Sequence, residues 1–387
     1  SFPGGDAEAR LALSPTGDVL ALGSGSLFEL RLFGVLEEAP LVTFTLPDPT
    51  AFVAFDPAGE RLLAVTKGGL VQAYRRPKPA LASVEHPGRP VAVSFAPDPE
   101  QAVTVDEDGT VRLWDPDDRA LAREMAGVSP FSGRVEASRR WVLVDGLYKG
   151  LVLYSREGAG REVPGRAGVV APDEKRLAYL DSQGRPTVLE LARGSPRVLA
   201  EDECTAVEWV TDQRLLALRT RQMACLLDAT GVRVVDEIGP GERLLGAPWL
   251  QRAVLLGQHG VLVVGPDGLL SRFALRSPHA SAVTSDGLLA ASLRDGPVRL
   301  VDLADGRPQG GDLPFPVMPT WVKAGGRWLV TTTDSRFRLW DTRSGQAASP
   351  WMAVPESLEQ VALSPSGDWL ALVARGAPSR MYVLDLR

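Results

Sequence analysis

Apolar residues in this chain come in runs of about five, set apart by clusters of Gly, Pro and Asp. Residues 91–125 show the pattern: VAVSF, a Pro-Asp turn, QAVTV, DEDG, TVRLW, DPDDR and ALAREM. Short runs rich in Val, Leu and aromatics, divided by turn residues, predict four antiparallel strands to a unit. Such a sheet is apolar on both faces and cannot stand alone. It must stack on copies of itself, and a twisted stack of that kind closes into a ring. With 39 Gly and 31 Pro spread along the chain, long helices are excluded.

The runs recur on a beat. An apolar residue followed by an acid ends a run at Trp114-Asp115, Leu189-Glu190, Leu227-Asp228, Val301-Asp302, Trp340-Asp341 and Leu384-Asp385, with acidic positions 75, 38, 74, 39 and 44 apart. One period of about 38 to 40 fits them all. A turn-then-strand marker at Ser14, Asp56, Ala96, Ala171, Thr284 and Ser364 keeps the same interval. The expected fold is all-β, of about ten four-stranded repeats in one continuous array over 1–387, near 9–49, 50–89, 90–129, 130–166, 167–204, 205–240, 241–278, 279–318, 319–357 and 358–387. The fourth and seventh units have strands but lack the markers. The chain begins Ser1-Phe2, opposite the end of a fourth strand when aligned with Ser83-Val84, and it stops after a third strand, RMYVLDLR. The outer strand of the last sheet is therefore expected from residues upstream of Ser1, closing an otherwise exposed edge.

The stretch from His86 through VAVSFAPD and VTVDEDGTVRLWD to Asp115 resembles the WD40 family of β-propellers. The resemblance implies a structural network in which His86, before the first strand, bonds Thr104 on the second. Asp108 in the turn and Trp114 on the third strand complete it. The ninth unit keeps Asp334 and Trp340 of this set without the His. The family further implies a rigid rim that binds a protein or peptide partner, without catalysis.

Composition narrows the function. The net charge of −6 argues against a protein that coats nucleic acid. No apolar run approaches the roughly 20 residues that span a bilayer. Two cysteines, Cys204 and Cys225, exclude a disulfide scaffold or Cys-cluster metal site, and His86, His259 and His279 show no ligand spacing. Neither a cofactor nor a metal is expected. The acidic clusters DEDG and DPDD read as turns in which Asp caps its own backbone. No phosphate loop, nucleophile elbow or CxxC is present, so the propeller itself is not expected to be an enzyme.

Most tryptophans fall in register. Trp209, Trp249 and Trp321 match Phe55 and Phe95 at the end of a first strand; Trp141, Trp328 and Trp369 open a second; Trp114 and Trp340 close a third. Repeated rings of this kind fill the wedge between adjacent sheets. Trp351 alone is off register and is a partner-binding candidate. So are Arg89, Arg134, Arg166 and Arg243, which recur near the loops between units and suit carboxylate contacts. The absence of Asn, a single Ile and 37 Arg among 42 basic residues look like a GC-rich bacterial genome. The expectation is a cytoplasmic, non-catalytic interaction or sensor module, the C-terminal propeller of a larger bacterial signalling or effector protein, whose partner can be its own N-terminal region. The alternative is a propeller that binds a ligand in its channel, or a lactonase-like hydrolase. Carboxylates and histidines converging on the inward side of the first strands would favour that alternative, and small apolar residues there the interaction module.

Overall fold

The computed structural model describes residues 9–15, 19–34, 40–57, 61–75, 82–118, 120–125, 131–146, 150–220, 223–237, 243–257, 260–275, 280–293, 297–313, 319–349, 351–354, 356–376 and 379–387. Among these the chain forms ten antiparallel sheets and one short 3-10 turn, Pro248–Leu250. In chain order the sheets occupy 10–45, 50–75, 90–125, 131–163, 166–198, 204–237, 243–273, 281–302, 321–353 and 357–385, and are numbered here one to ten. Each pleated strand sends alternate side chains to opposite faces, so each sheet is apolar on both sides. In sheet three, Val103 and Val105 pack towards sheet four, whereas Ala102 and Trp114 pack towards sheet ten.

Sheets three to ten close a circle. Successive pairs share separate apolar clusters, from Val105 with Val142 between sheets three and four to Phe337 with Leu372 between nine and ten. The last cluster joins Phe95 and Trp114 of sheet three to Trp369, Val373 and Met381 of sheet ten, and the circle is complete. In the ring the first strand of each sheet lies innermost, against the first strands of its neighbours, except that the first strand of sheet five lies against the second and third strands of sheet four.

The closing strand corrects the expectation drawn from the termini. Ala82–Glu85 pairs antiparallel with Arg380–Asp385, Glu85 opposite Arg380 and Ala82 opposite Val383. The outer strand of the last sheet thus comes from inside the chain, and the unit expected over 50–89 gives up its fourth strand. Sheet two is left with three strands, Thr50–Phe55, Arg61–Thr66 and Val71–Arg75. Sheet eight also has three. Among the described residues only isolated bridges stand in place of its fourth, joining Val298 to Leu313 and Val301 to Pro308, in a stretch where Pro308 and the Gly310-Gly311 pair disfavour a ladder.

Sheets one and two stand outside the circle, packed on each other. Phe44 stacks on Tyr74 at 4.8 Å between ring centroids. Strand Pro40–Thr45 lies against Met352–Ala353 at the outer edge of sheet nine, where Phe44 and Leu46 share a cluster with Met352 and Val354.

Candidate functional site

The network expected around His86 forms, with one substitution in its membership. The Trp114 indole donates to Thr104 Oγ1 at 2.9 Å, and Thr104 Oγ1 lies 2.8 Å from His86 Nε2. Two acceptors, the Gly88 carbonyl and the Asp106 carboxylate, face His86 Nδ1, which leaves Nε2 to accept from the Thr104 hydroxyl. That assigns the proton of a neutral imidazole to Nδ1, which faces the Gly88 carbonyl at 3.2 Å. Burial, reinforced by the Arg112 charge, lowers the His86 pKa to about 4.

Asp108 does not join this network. It caps the Thr110 amide at 2.9 Å on the exposed turn. The carboxylate beside His86 is that of buried Asp106, 3.3 Å from Nδ1 and ion-paired with Arg112. Strand register shifts between Val105 and Asp106, and such a bulge re-aims a side chain. In sheet nine the Trp340 indole donates to Thr331 Oγ1 at 2.8 Å, and Asp334 accepts from the Ser357 hydroxyl of sheet ten at 3.0 Å.

Two tryptophans depart from the expected register. Trp249 sits in the 3-10 turn and is 58% exposed. Trp321 opens its strand, and Ala324 holds the place of Phe95, paired through Leu329 to Trp340. Trp209 is buried as expected and donates to the Val169 carbonyl at 3.1 Å. Half-buried Trp351 lies beside the outer strand of sheet nine with the Arg338 guanidinium 5.8 Å from its ring. It belongs to the edge remote from the channel. His259 and His279 lie outside the described residues.

The four expected arginines stand just before or within the first strands of four sheets. Arg89 precedes the first strand of sheet three, Arg134 and Arg243 lie in the first strands of sheets four and seven, and Arg166 opens that of sheet five. Those strands run the same way round the axis, so all four side chains start at one mouth of the ring. Arg89 is ion-paired with Glu107 and lies 3.7 Å from Glu359, which in turn holds Arg375 at 2.9 Å. Arg243 Nη2 reaches Ser281 Oγ at 3.4 Å. Arg166 is exposed.

Arg134 reaches past sheet five to Glu208 of sheet six, at 3.6 Å. Glu208 and Glu136 occupy equivalent places in their first strands, each opposite the third residue of the second strand, Leu216 and Leu143. The Glu208 side chain is only 18% exposed. A Cβ added at Gly246 would come within 2.5 Å of its carboxylate, so glycine there makes room for it. Burial first, and then the nearby Glu136 charge, raise the Glu208 pKa to about 8 against the pull of Arg134. Burial also raises Glu136, whose carboxylate accepts the Val170 amide at 3.2 Å. On sheet nine, at the same level, burial lowers the pKa of Lys323. Reading the sequence left these channel acids out, although each is a charged residue where Val169, Leu245, Ala282 and Ala362 stand in other sheets. Among the described residues no three His, Cys, Asp or Glu side chains converge to hold a metal ion. None of the helices there is long and apolar enough to cross a membrane.

The sequence model of the WD domain, G-beta repeat, matches residues 80–115, the stretch holding the closing strand and the His86 network. No curated protein matches the chain. In structure it is similar to the C-terminal WD40 domain of Sif2, with a TM-score of 0.61 at 13% identity over 80% of this chain and 98% of that one. It is similar to the β-propeller domain of Cps50 (Swd1) from Myceliophteria thermophila, with 0.53 at 15% identity over 80% and 99%. BamB from Moraxella catarrhalis gives 0.58 at 11% identity over 79% and 99%. WD40 propellers serve in general as protein-interaction scaffolds. In sequence over one repeat, and in fold over 80% of the chain, this protein is similar to the WD40-repeat β-propellers.

Proposed function

We propose that the protein is a non-catalytic interaction module whose ring mouth, lined by Arg89, Arg134, Arg166 and Arg243, takes a carboxylate-bearing protein or peptide. The reading extends to a place in a bacterial signalling or effector protein of the cytoplasm. The observation that supports it is the placement of four arginines, from four sheets, at one mouth. Guanidinium groups there can exchange an intramolecular carboxylate for a partner's with little reorganisation, because their planar forks are already oriented. The test is binding of the purified chain to an array of peptides with graded Asp and Glu content. Arg89→Glu and Arg166→Glu should each weaken capture of acidic peptides about tenfold, the effect of removing one charge-assisted contact of about 1.4 kcal/mol. Unchanged binding in both would clear the mouth of this role.

The channel-ligand reading keeps one observation in its favour, the approach of Arg134, Glu136 and Glu208 within the ring. A ligand held there would respond to Glu208→Gln and ignore Arg89→Glu, the reverse of what a mouth-bound peptide does.

A further inference from the structure

Sheets one and two form a stack with two bare ends. In the ring, the face of each sheet that looks to the next one is covered: Val103, Val105 and Val111 of sheet three are fully buried, and Leu113 is 2% exposed. The same register positions in sheet two are Leu63, Val65, Val71 and Ala73, fixed by the pairs Leu63–Ala73 and Val65–Val71. There Leu63 is 37% and Val71 59% exposed, with Phe52, opposite Val65, at 52%. The face of sheet one that would look to a preceding sheet is equally bare. Leu11 and Leu13, opposite Leu22 and Leu20, are 61% and 56% exposed, whereas Phe95 at the place of Leu13 in sheet three is 4% exposed. Contiguous apolar surface of this extent marks an interaction site.

The two ends complement each other. Every interface in the ring, and the one between sheets one and two, sets the onward face of one sheet against the backward face of the next. Sheet two offers an onward face and sheet one a backward face, so the surface that fits each end is the other end of the same unit. We propose that a second copy of this chain docks here, its sheet one on sheet two of the first and its sheet two on sheet one. The two contacts are related by a two-fold axis and close a ring of four sheets, at the lower limit of about 4 to 8 blades for such rings. A three-stranded face about five residues long covers roughly 240 Å², from strand spacings of about 4.8 Å and rises of about 3.3 Å. Four faces then bury about 1,000 Å², the threshold of a specific interface.

The test is the mass in solution of the full chain, by sedimentation or light scattering, up to about 50 μM, a range suited to an interface of this size. The expected species has twice the 41.4 kDa chain mass. Leu63→Glu and Leu13→Glu should each weaken the dimer at least tenfold with circular dichroism and melting unchanged, since both side chains are exposed in the single chain. Val234→Glu, on an outer strand of the ring where Val234 is 53% exposed, should leave the dimer intact. A monomer at the highest concentration would overturn the proposal, as would a dimer indifferent to both sheet-one and sheet-two charges or one broken by Val234→Glu.

Discussion

Replacing Thr104 with Val tests whether the His86 network holds the ring together or merely decorates it. Thr104 is completely buried, the His86 side chain shows no exposure, and Trp114 is 3% exposed. Valine matches threonine in shape, so no cavity opens. What is lost is the hydroxyl that accepts from the Trp114 indole and donates to His86 Nε2. Each buried partner left without a bond costs about 1–3 kcal/mol. Relief of the hydroxyl's own desolvation offsets part of that, and a loss of about 2–4 kcal/mol remains. Thr331→Val in sheet nine is the internal comparison. It strands only the Trp340 indole, since no histidine stands behind it, and should cost about 1–2 kcal/mol. The assay is thermal unfolding of both variants together with hydrogen exchange at the Trp114 indole. Exchange reports sheet three locally, which matters because stacked arrays can unfold in parts. A Thr104→Val protein within about 0.5 kcal/mol of wild type, or one less affected than Thr331→Val, would refute the reasoning.

Three further outcomes follow from the same geometry. His86, held at a pKa of about 4 against 6.5 when unfolded, binds a proton more readily in the unfolded chain. Its contribution of about 3 kcal/mol should disappear as pH falls from 6.5 to 4, read as wild type minus His86→Gln in denaturant titrations. Glu208 works in the opposite sense. Its pKa raised to about 8 means the folded state holds the extra proton, so wild type should lose stability relative to Glu208→Gln as pH climbs from 4.5 to 8, by roughly 2–4 kcal/mol. Gly326→Ala should destabilise sheet nine against sheet ten by at least about 2 kcal/mol in thermal unfolding, because a Cβ would collide with the Ser366 carbonyl and φ there is +52°.

The strand-and-turn rhythm was legible because it is local: a five-residue apolar run between Gly and Asp states its own period. Ring closure was not. The pairing of Ala82–Glu85 with Arg380–Asp385 joins residues some three hundred positions apart, whereas the turn pattern over 50–89 reads as a complete local unit. Leu63 and Val103 show why the sheets outside the ring look like ring sheets. Both are apolar residues in the same register, and only the presence or absence of a neighbour separates bare from buried. Asp106 and Asp108 both precede the turn glycine Gly109; a one-residue bulge decides which faces His86. Glu136 and Glu208 carried a readable signal, a charge in a register of small apolar residues, but its meaning depends on sheets four and six standing either side of sheet five around one channel.

The central claim is that an internal strand closes the ring, and a cross-strand disulfide tests it most directly. Glu85 lies opposite Arg380, and directly opposed residues in an antiparallel pair have Cα atoms about 4.5–5.5 Å apart, within the span of about 4.4–6.8 Å that a disulfide bridges. In the full chain carrying Glu85→Cys and Arg380→Cys, mild oxidation should give a near-complete cross-link with an unchanged fold. Background cross-linking in that protein, together with efficient cross-linking of Glu85→Cys to Val71→Cys, would instead return the strand to sheet two and contradict the account.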